Sequence, residues 1–280
     1  MSSTDCRRDA KYEILFNEAI EEGSDGIVYR AIDMVNNKPV IIKSLFESDT
    51  NEVNNHLKMS AVTCGLVENE AHHLPFIPKL YEHLTDSNSI INMSDDWPIK
   101  TYIVMELIQG KTLYWSSRDK QDWDYNWIMV GKLLRIVQRL HNNGFYHDDI
   151  HSLNVMVTTC DDVYLIDFSK SGDLSSMRSD LERRTDVRVR SDYYQDLDTE
   201  GRAIVGLVDD YIQSIFMFDD MKDSKYSNVN HGLERYLLLQ QFSENLECEE
   251  FDQDGNYVTY LDYGRLIIDE YDRLNDLSFS

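Results

Sequence analysis

Cysteine, proline and positive charge are scarce in this chain, and each shortage excludes something. The four cysteines (Cys6, Cys64, Cys160, Cys248) are scattered, with neither paired CxxC motifs nor metal-ligand spacing. A disulfide framework and a zinc site are therefore not expected, and a reducing compartment suits the pattern. Prolines number four and none follows Pro98, so no proline-rich linker divides the later part of the chain. Lys and Arg total 27 against 51 Asp and Glu, giving a net charge of −24. Such a surface repels nucleic-acid phosphates and anionic lipid, which excludes both as expected partners. Basic partners would be attracted, although the plainer meaning of the charge is solubility. No apolar run approaches the roughly 18 residues of a membrane span, and Met1–Arg8 is polar. The expectation is a protein of the cytoplasm or nucleus, without an export signal or a membrane anchor.

What is present centres on residues 147–167. His147-Asp148-Asp149-Ile150-His151-Ser152-Leu153-Asn154 leads into Val155-Met156-Val157, and Val163-Tyr164-Leu165-Ile166 runs into Asp167-Phe168-Ser169. This reads as a carboxylate and an amide on one tight loop, two short apolar strands, and a second carboxylate where the second strand ends. Asp149 could accept a proton from a hydroxyl. Asn154 and Asp167 supply neutral and anionic oxygens to a hard cation, and Mg²⁺ favours a sparse oxygen set completed by water and phosphates. Phosphoryl transfer requires a positioned hydroxyl, bridging metal ions and little else.

Upstream, Tyr12–Ile20 is apolar and leads to Glu21-Glu22-Gly23-Ser24-Asp25-Gly26-Ile27-Val28, where two glycines between β-rich segments mark a hairpin. Gly23 and Gly26 by themselves are only a turn. Lys38–Lys43 is a further strand whose terminal Lys43 should be partly shielded, placed where a point charge can meet nucleotide phosphates. Residues 51–80 read as mainly helical, capped by Asp49 or Thr50, with Val53, Leu57, Ala61 and Val62 at helical spacing. An acidic partner for Lys43 is expected from this segment: Glu52 first, with Leu57 as its inward neighbour, and Glu68 or Glu70 as alternatives. Leu80-Tyr81-Glu82 begins another strand, Thr85–Asp96 reads as a loop, and Thr101–Gly110 as a buried strand with a glycine-punctuated connector. The connector can offer backbone groups to an adenine edge.

Trp123–Asn142 is a strong helix, with Trp127, Ile128, Val130, Leu133, Leu134, Val137 and Leu140 as its apolar stripe and Gly144 as its stop. Beyond Asp167, the arginines Arg178, Arg183, Arg184, Arg188 and Arg190 form either a solvated loop or a phosphate- or substrate-binding segment. Asp196–Phe218, Leu233–Leu246 and Tyr263–Leu274 read as helices. Asp252-Gln253-Asp254-Gly255 has the start of a calcium loop, but its twelfth position is Tyr263 rather than Glu, so it reads as a turn.

Taken in order, these segments resemble the protein-kinase-like family from about Tyr12 to beyond Asp196. The resemblance implies an α+β bilobal fold, with a β-rich N-lobe over residues 12–108 and a helical C-lobe over 109–280. It implies that Gly23, Gly26 and Val28 belong to the phosphate-covering glycine loop, and that Lys43 contacts the phosphates while Glu52 pairs with it. Met105 resembles the residue guarding the adenine pocket, with Glu106 and Ile108 as backbone contacts. His147, Asp149 and Asn154 match the catalytic loop, Asp167-Phe168-Ser169 the metal-binding Asp-Phe-Gly, and Asp196 and Gly201 the start of a long helix. ATP and Mg²⁺ are the implied cofactors, Asn154 and Asp167 the metal ligands, and a protein hydroxyl the implied acceptor.

The departures bear on substrate and regulation. Glu21 stands at the first glycine of the loop, Asp25 at its usual aromatic tip, and Ser169 at the glycine after Asp-Phe. Asp148 replaces an arginine that often pairs with a phosphorylated activation segment, so activity without that switch is expected. His151 stands where protein-Ser/Thr kinases usually place a lysine, as in small-molecule phosphotransferases, and no Ala-Pro-Glu motif exists. Three functions are thus compatible with the residues: a Ser/Thr protein kinase, a small-molecule kinase, or a nucleotide-binding scaffold that has lost catalysis.

Overall fold

The computed structural model describes residues 10–15, 20–22, 26–46, 50–65, 76–85, 89–91, 101–120, 122–147, 149–173, 230–248 and 260–276. Expectations for Gly23, Asp25, Glu68, Glu70, Asp148, the arginines 178–190, the helix at 196–218 and the turn at 252–255 lie outside them. The chain divides into two compact units: Met1–Ala71 with Ile77–Gln109, and His72–Phe76 with Gly110–Ser280. The first is β-rich and the second mainly helical, which meets the α+β expectation.

The first unit is built on a seven-stranded sheet. Its strands are β1 (Tyr12–Ile14), β2 (Glu21–Glu22), β3 (Gly26–Asp33), β4 (Lys38–Leu45), β5 (Leu80–Leu84), β6 (Ile90–Ile91) and β7 (Thr101–Glu106). The order is β5-β7-β4-β3-β1-β6, with β2 paired to β3. Every pair is antiparallel except β1 with β6. Because side chains alternate along a strand, the sheet sorts its residues by parity. Ile27, Tyr29, Ala31, Val40, Ile42, Tyr102 and Val104 meet on one face with Tyr12 and Ile14. Leu45, Ile103 and the half-buried Met105 lie on the other, against Val53 of helix α1 (Thr50–Gly65). Gly26 opens β3 so close to β4 that a Cβ there would collide with the Ser44 carbonyl. Its glycine identity thus has a packing cause.

Two details of this unit differ from expectation. Leu57 is exposed, whereas Glu52, Val53, His56 and Met59 are buried. The inward stripe of α1 runs through 52, 53, 56 and 59, and position 57 lies about 100° from His56 at the stripe's centre, past its edge on the solvent side. β6 falls inside the expected 85–96 loop; a two-residue strand has no periodicity to reveal it.

The second unit holds β8 (Gly110–Thr112), β9 (Phe145–Tyr146), β10 (Val155–Thr158), β11 (Val163–Leu165) and β12 (Gly172–Asp173). They form a three-stranded sheet β11-β10-β8 and the pair β12-β9. Helix α2 (Leu113–Lys120), absent from the sequence reading, precedes α3 (Trp123–Asn142). Asp122 caps α3 by accepting from the N–H groups of Asp124 and Tyr125 at 2.9 and 3.4 Å. Gly144, at φ 86°, follows the C-terminal cap Asn143. The α3 stripe is buried as expected except for Ile128, which is exposed. Helices α4 (Asn230–Cys248) and α5 (Tyr260–Asp276) pack on α3 and on each other. Trp127 stacks on Tyr271 at 4.6 Å between centroids, and the Tyr271 hydroxyl donates to the Trp127 carbonyl at 2.9 Å. Gly131 leaves the room that the tyrosine ring occupies. α3 thereby becomes a fixed post from which the chain enters β9 and the loop beyond it.

Candidate active site

In the first unit, Lys43 follows from strand parity. It shares the face of Leu45 and therefore points toward α1, not into the core that holds Ile42. Val28, its register partner on β3, lies on the same face. The first turn of α1 presents Glu52, and Lys43 Nζ lies 2.8 Å from Glu52 Oε1 with both side chains more than nine-tenths buried. Such a pair persists only with good geometry, because removing either partner strands a charge in the interior. His56, one turn on, lies 2.7 Å from the Pro78 carbonyl through Nε2. Burial, reinforced by the nearby Lys43 charge, pushes its pKa down, so His56 adds no second cation beside Lys43 at neutral pH.

Met105 packs with Leu80 beside the Leu45, Val53 and Ile103 cluster. The Glu106 N–H donates to the Lys79 carbonyl at 2.9 Å, so any contact of Glu106 with an adenine edge is through its carbonyl. Ile108 is buried just past the end of β7.

In the second unit, the loop from His147 to Asn154 is tied by its own backbone. Asn154 N–H donates to the His151 carbonyl at 2.9 Å, and the Asn154 carbonyl accepts from Ile166 N–H at 3.0 Å. The latter bond fastens the loop to the end of β11. His147 is fully buried, with Nε2 3.2 Å from the Ile166 carbonyl and its ring edge-on to Phe168. Asn154 Nδ2 donates to the Asp149 carbonyl at 3.0 Å and to Asp149 Oδ2 at 3.2 Å. One amide thus sets both the backbone and the carboxylate of Asp149.

Two basic side chains attend that carboxylate. Lys170 Nζ donates to Asp149 Oδ1 at 2.8 Å, and His151 Nε2 lies 3.8 Å from Oδ2. Half-burial alone would raise the Asp149 pKa; His151 and Lys170 reverse the sign and hold the carboxyl well below the usual range. Asp149 is therefore an anion at any physiological pH. Sequence reasoning passed over Lys170. The signal that could have found it is scarcity, since it is the only Lys or Arg between Arg139 and Arg178.

Asp167 adopts the left-handed region at φ 65°. Aspartate tolerates it where its short side chain bonds locally, and Oδ1 here accepts from Ser169 N–H at 3.3 Å. A divalent cation fits the donors of this unit in a particular way. No group of three or more His, Cys, Asp or Glu that could hold a metal is found among the described residues. With Nδ2 of Asn154 committed to Asp149, its Oδ1 is the amide oxygen that can face a cation, beside the chemistry of one Asp167 carboxylate. A hard ion that keeps water and takes phosphate oxygens suits this sparse set; a metal needing a full protein cage does not.

A model of the protein kinase domain matches residues 15–195. Among curated proteins, the chain is similar to a probable serine/threonine-protein kinase of Clostridium acetobutylicum, 29% identical over 162 residues, covering 56% of this chain and 22% of that protein. It is 23% identical over 196 residues to the serine/threonine-protein kinase SKS1 of Saccharomyces cerevisiae, covering 54% and 38% of the two chains. It is 30% identical over 162 residues to a probable serine/threonine-protein kinase of Dictyostelium discoideum, covering 57% and 21%. The matched regions thus take in only 21–38% of the length of these relatives.

Proposed function

This chain belongs to the protein kinase domain family, and we propose that it transfers the γ-phosphoryl group of ATP to a serine or threonine hydroxyl of a protein. The observation that carries the reading is the Asp149 carboxylate, ionised and oriented through Oδ2 by Asn154. A carboxylate so held can orient an acceptor hydroxyl and take its proton. As the acceptor oxygen forms its bond to the γ-phosphorus, its proton passes to Asp149. The bond from that phosphorus to the bridging oxygen breaks, and the electron pair leaves with ADP.

Lys43, held by Glu52, supplies positive charge to the ATP phosphates, and the segment of Gly23, Gly26 and Val28 covers them. Met105, Glu106 and Ile108 line the adenine end. Asn154 and Asp167 would hold Mg²⁺, which when bound neutralises charge on the β- and γ-phosphate oxygens. The acidic surface favours basic protein acceptors, and a cytoplasmic or nuclear setting agrees with the scattered cysteines.

A small-molecule acceptor is the second reading, favoured by His151 beside Asp149 Oδ2. Labelled ATP offered with basic proteins, acidic proteins and small hydroxyl compounds separates the two. Label on protein is the expected result; label on a metabolite alone would transfer the proposal to the second reading. Asp149→Asn should lower turnover by roughly 10²–10⁴-fold while nucleotide affinity, measured by calorimetry, stays near that of the wild type.

A further inference from the structure

The loop from His147 to Asn154 carries two aspartates and two histidines but no lysine or arginine. Between Arg139 and Arg178 the sequence has six aspartates, at 148, 149, 161, 162, 167 and 173, and one permanent cation, Lys170. Phosphoryl transfer gathers negative charge around its base, so a cation is needed there that does not come from the loop itself. His151 does not supply a close one, because its Nε2 stays 3.8 Å from Asp149 Oδ2, beyond hydrogen-bond reach.

Lys170 reaches the carboxylate from a different segment, and its backbone is pinned on both sides. Before it, Ser169 N–H donates to Asp167 Oδ1 at 3.3 Å. After it, Ser171 N–H donates to the Phe168 carbonyl at 3.3 Å and Ser171 Oγ to the His147 carbonyl at 3.2 Å. Gly172 then pairs with Tyr146 across β12 and β9. The ammonium is thus delivered to Oδ1 by a chain anchored to the same loop whose Asn154 holds Oδ2. The two donors hold the carboxylate from opposite oxygens. The Lys170 side chain is 58% exposed, so the contact with Asp149 is made at the surface of the unit.

We propose that Lys170 is a positioning residue for phosphoryl transfer: it clamps Asp149 through Oδ1 and brings to the base the positive charge that the 147–154 loop lacks. The proposal rests on the kinase reading of Asp149 given above. It assigns to the segment after Asp167 a role in turnover beyond that of Asp167 itself, and it makes the two residues after Ser169 part of the machinery's support.

The test is steady-state kinetics of the full chain with ATP and a protein acceptor, for wild type, Lys170→Met, Lys170→Arg, Asp149→Asn and the Lys170→Met/Asp149→Asn double variant. Lys170→Met should lower kcat by roughly tenfold or more, with the KM for ATP within about threefold of wild type. Lys170→Arg should recover most of the loss, and in the Asp149→Asn background the Met substitution should cost nothing further, because the lysine acts through Asp149. Melting temperatures of the single variants should match the wild type, which separates loss of positioning from loss of fold. Wild-type kcat in Lys170→Met would overturn the proposal while leaving the kinase reading intact, and so would a rise in kcat, which would make the contact a mask over the base. Absence of any phosphate transfer by the wild type would overturn the kinase reading, and this proposal with it.

Discussion

Two ion pairs of the same length have opposite work to do in this molecule. Lys43–Glu52 and Lys170–Asp149 each close at 2.8 Å, but the first has side chains 7% and 6% exposed and the second 58% and 22%. Distance therefore does not rank them; solvent does. In the buried pair each charge depends on the other, since water cannot replace a lost partner. In the exposed pair water stands ready to do so, and the contact adds little to folding. Lys43–Glu52 is a structural bond that also presents a charge, whereas Lys170–Asp149 is a geometric constraint on one carboxylate. A third pair lies between them: Lys11 Nζ to Glu82 Oε2 at 2.6 Å, with side chains 39% and 32% exposed, where Tyr12 also donates to Oε2 at 2.5 Å.

This gradient can be broken by substitution. The largest effect is expected for Glu52→Ala, which leaves the Lys43 ammonium buried without its carboxylate and should cost about 3–5 kcal/mol in chemical denaturation. A cost below roughly 1 kcal/mol, the range of exposed pairs, would mean that water reaches Lys43 and that burial does not separate the pairs.

Glu82→Gln should cost less, on the order of 1 kcal/mol at neutral pH, because solvent screens its pairing with Lys11. Its pH dependence sharpens the point. Burial acts to raise the Glu82 pKa, but the hydrogen bonds from Lys11 and Tyr12 outweigh it and the net shift is downward. A carboxyl depressed on folding contributes stability at pH above its unfolded value, and that contribution is lost as pH falls through the folded one. The gap in stability between wild type and Glu82→Gln should therefore be full at pH 7 and shrink as the solution is acidified below about pH 4. A gap that widens on acidification would contradict the assignment.

The smallest effect on stability belongs to Lys170→Met, expected within about 1 kcal/mol of wild type, although the same change is expected to damage turnover. Parallel melting and kinetic measurements on that one variant show whether stability and function separate at this pair as they do not at Lys43–Glu52.

Much of the architecture was legible because it rests on periodicity. The α3 stripe gave its limits, Trp123–Asn142, and the continuous apolar runs in β4 and β7 marked buried strands. Parity also explains why Lys43, and not its neighbour Ile42, faces α1. The errors occur where period is short or ambiguous. β6 has two residues, and α2 is an eight-residue helix whose exposed Trp115 and charged end carry no inward stripe. Leu57 is apolar and adjacent to the buried His56, so composition favoured the wrong one of the two; the helix turned the histidine inward, where Pro78 offers a carbonyl. In the second unit, motif spacing singled out Asp149, Asn154 and Asp167, but not the convergence of Lys170 on Asp149. That contact spans 21 positions and depends on the anchoring of Ser171 to His147. Local pattern cannot report a bond made by the fold.

The role proposed for Asp149 lies in the transfer step rather than in nucleotide binding. Its most direct test is single-turnover transfer of labelled γ-phosphate to a basic protein acceptor, measured for wild type and Asp149→Asn with ATP affinity determined on the same samples. The account predicts label on protein for the wild type, its near-complete loss in the variant, and closely similar affinities. Equal transfer by both proteins would contradict it.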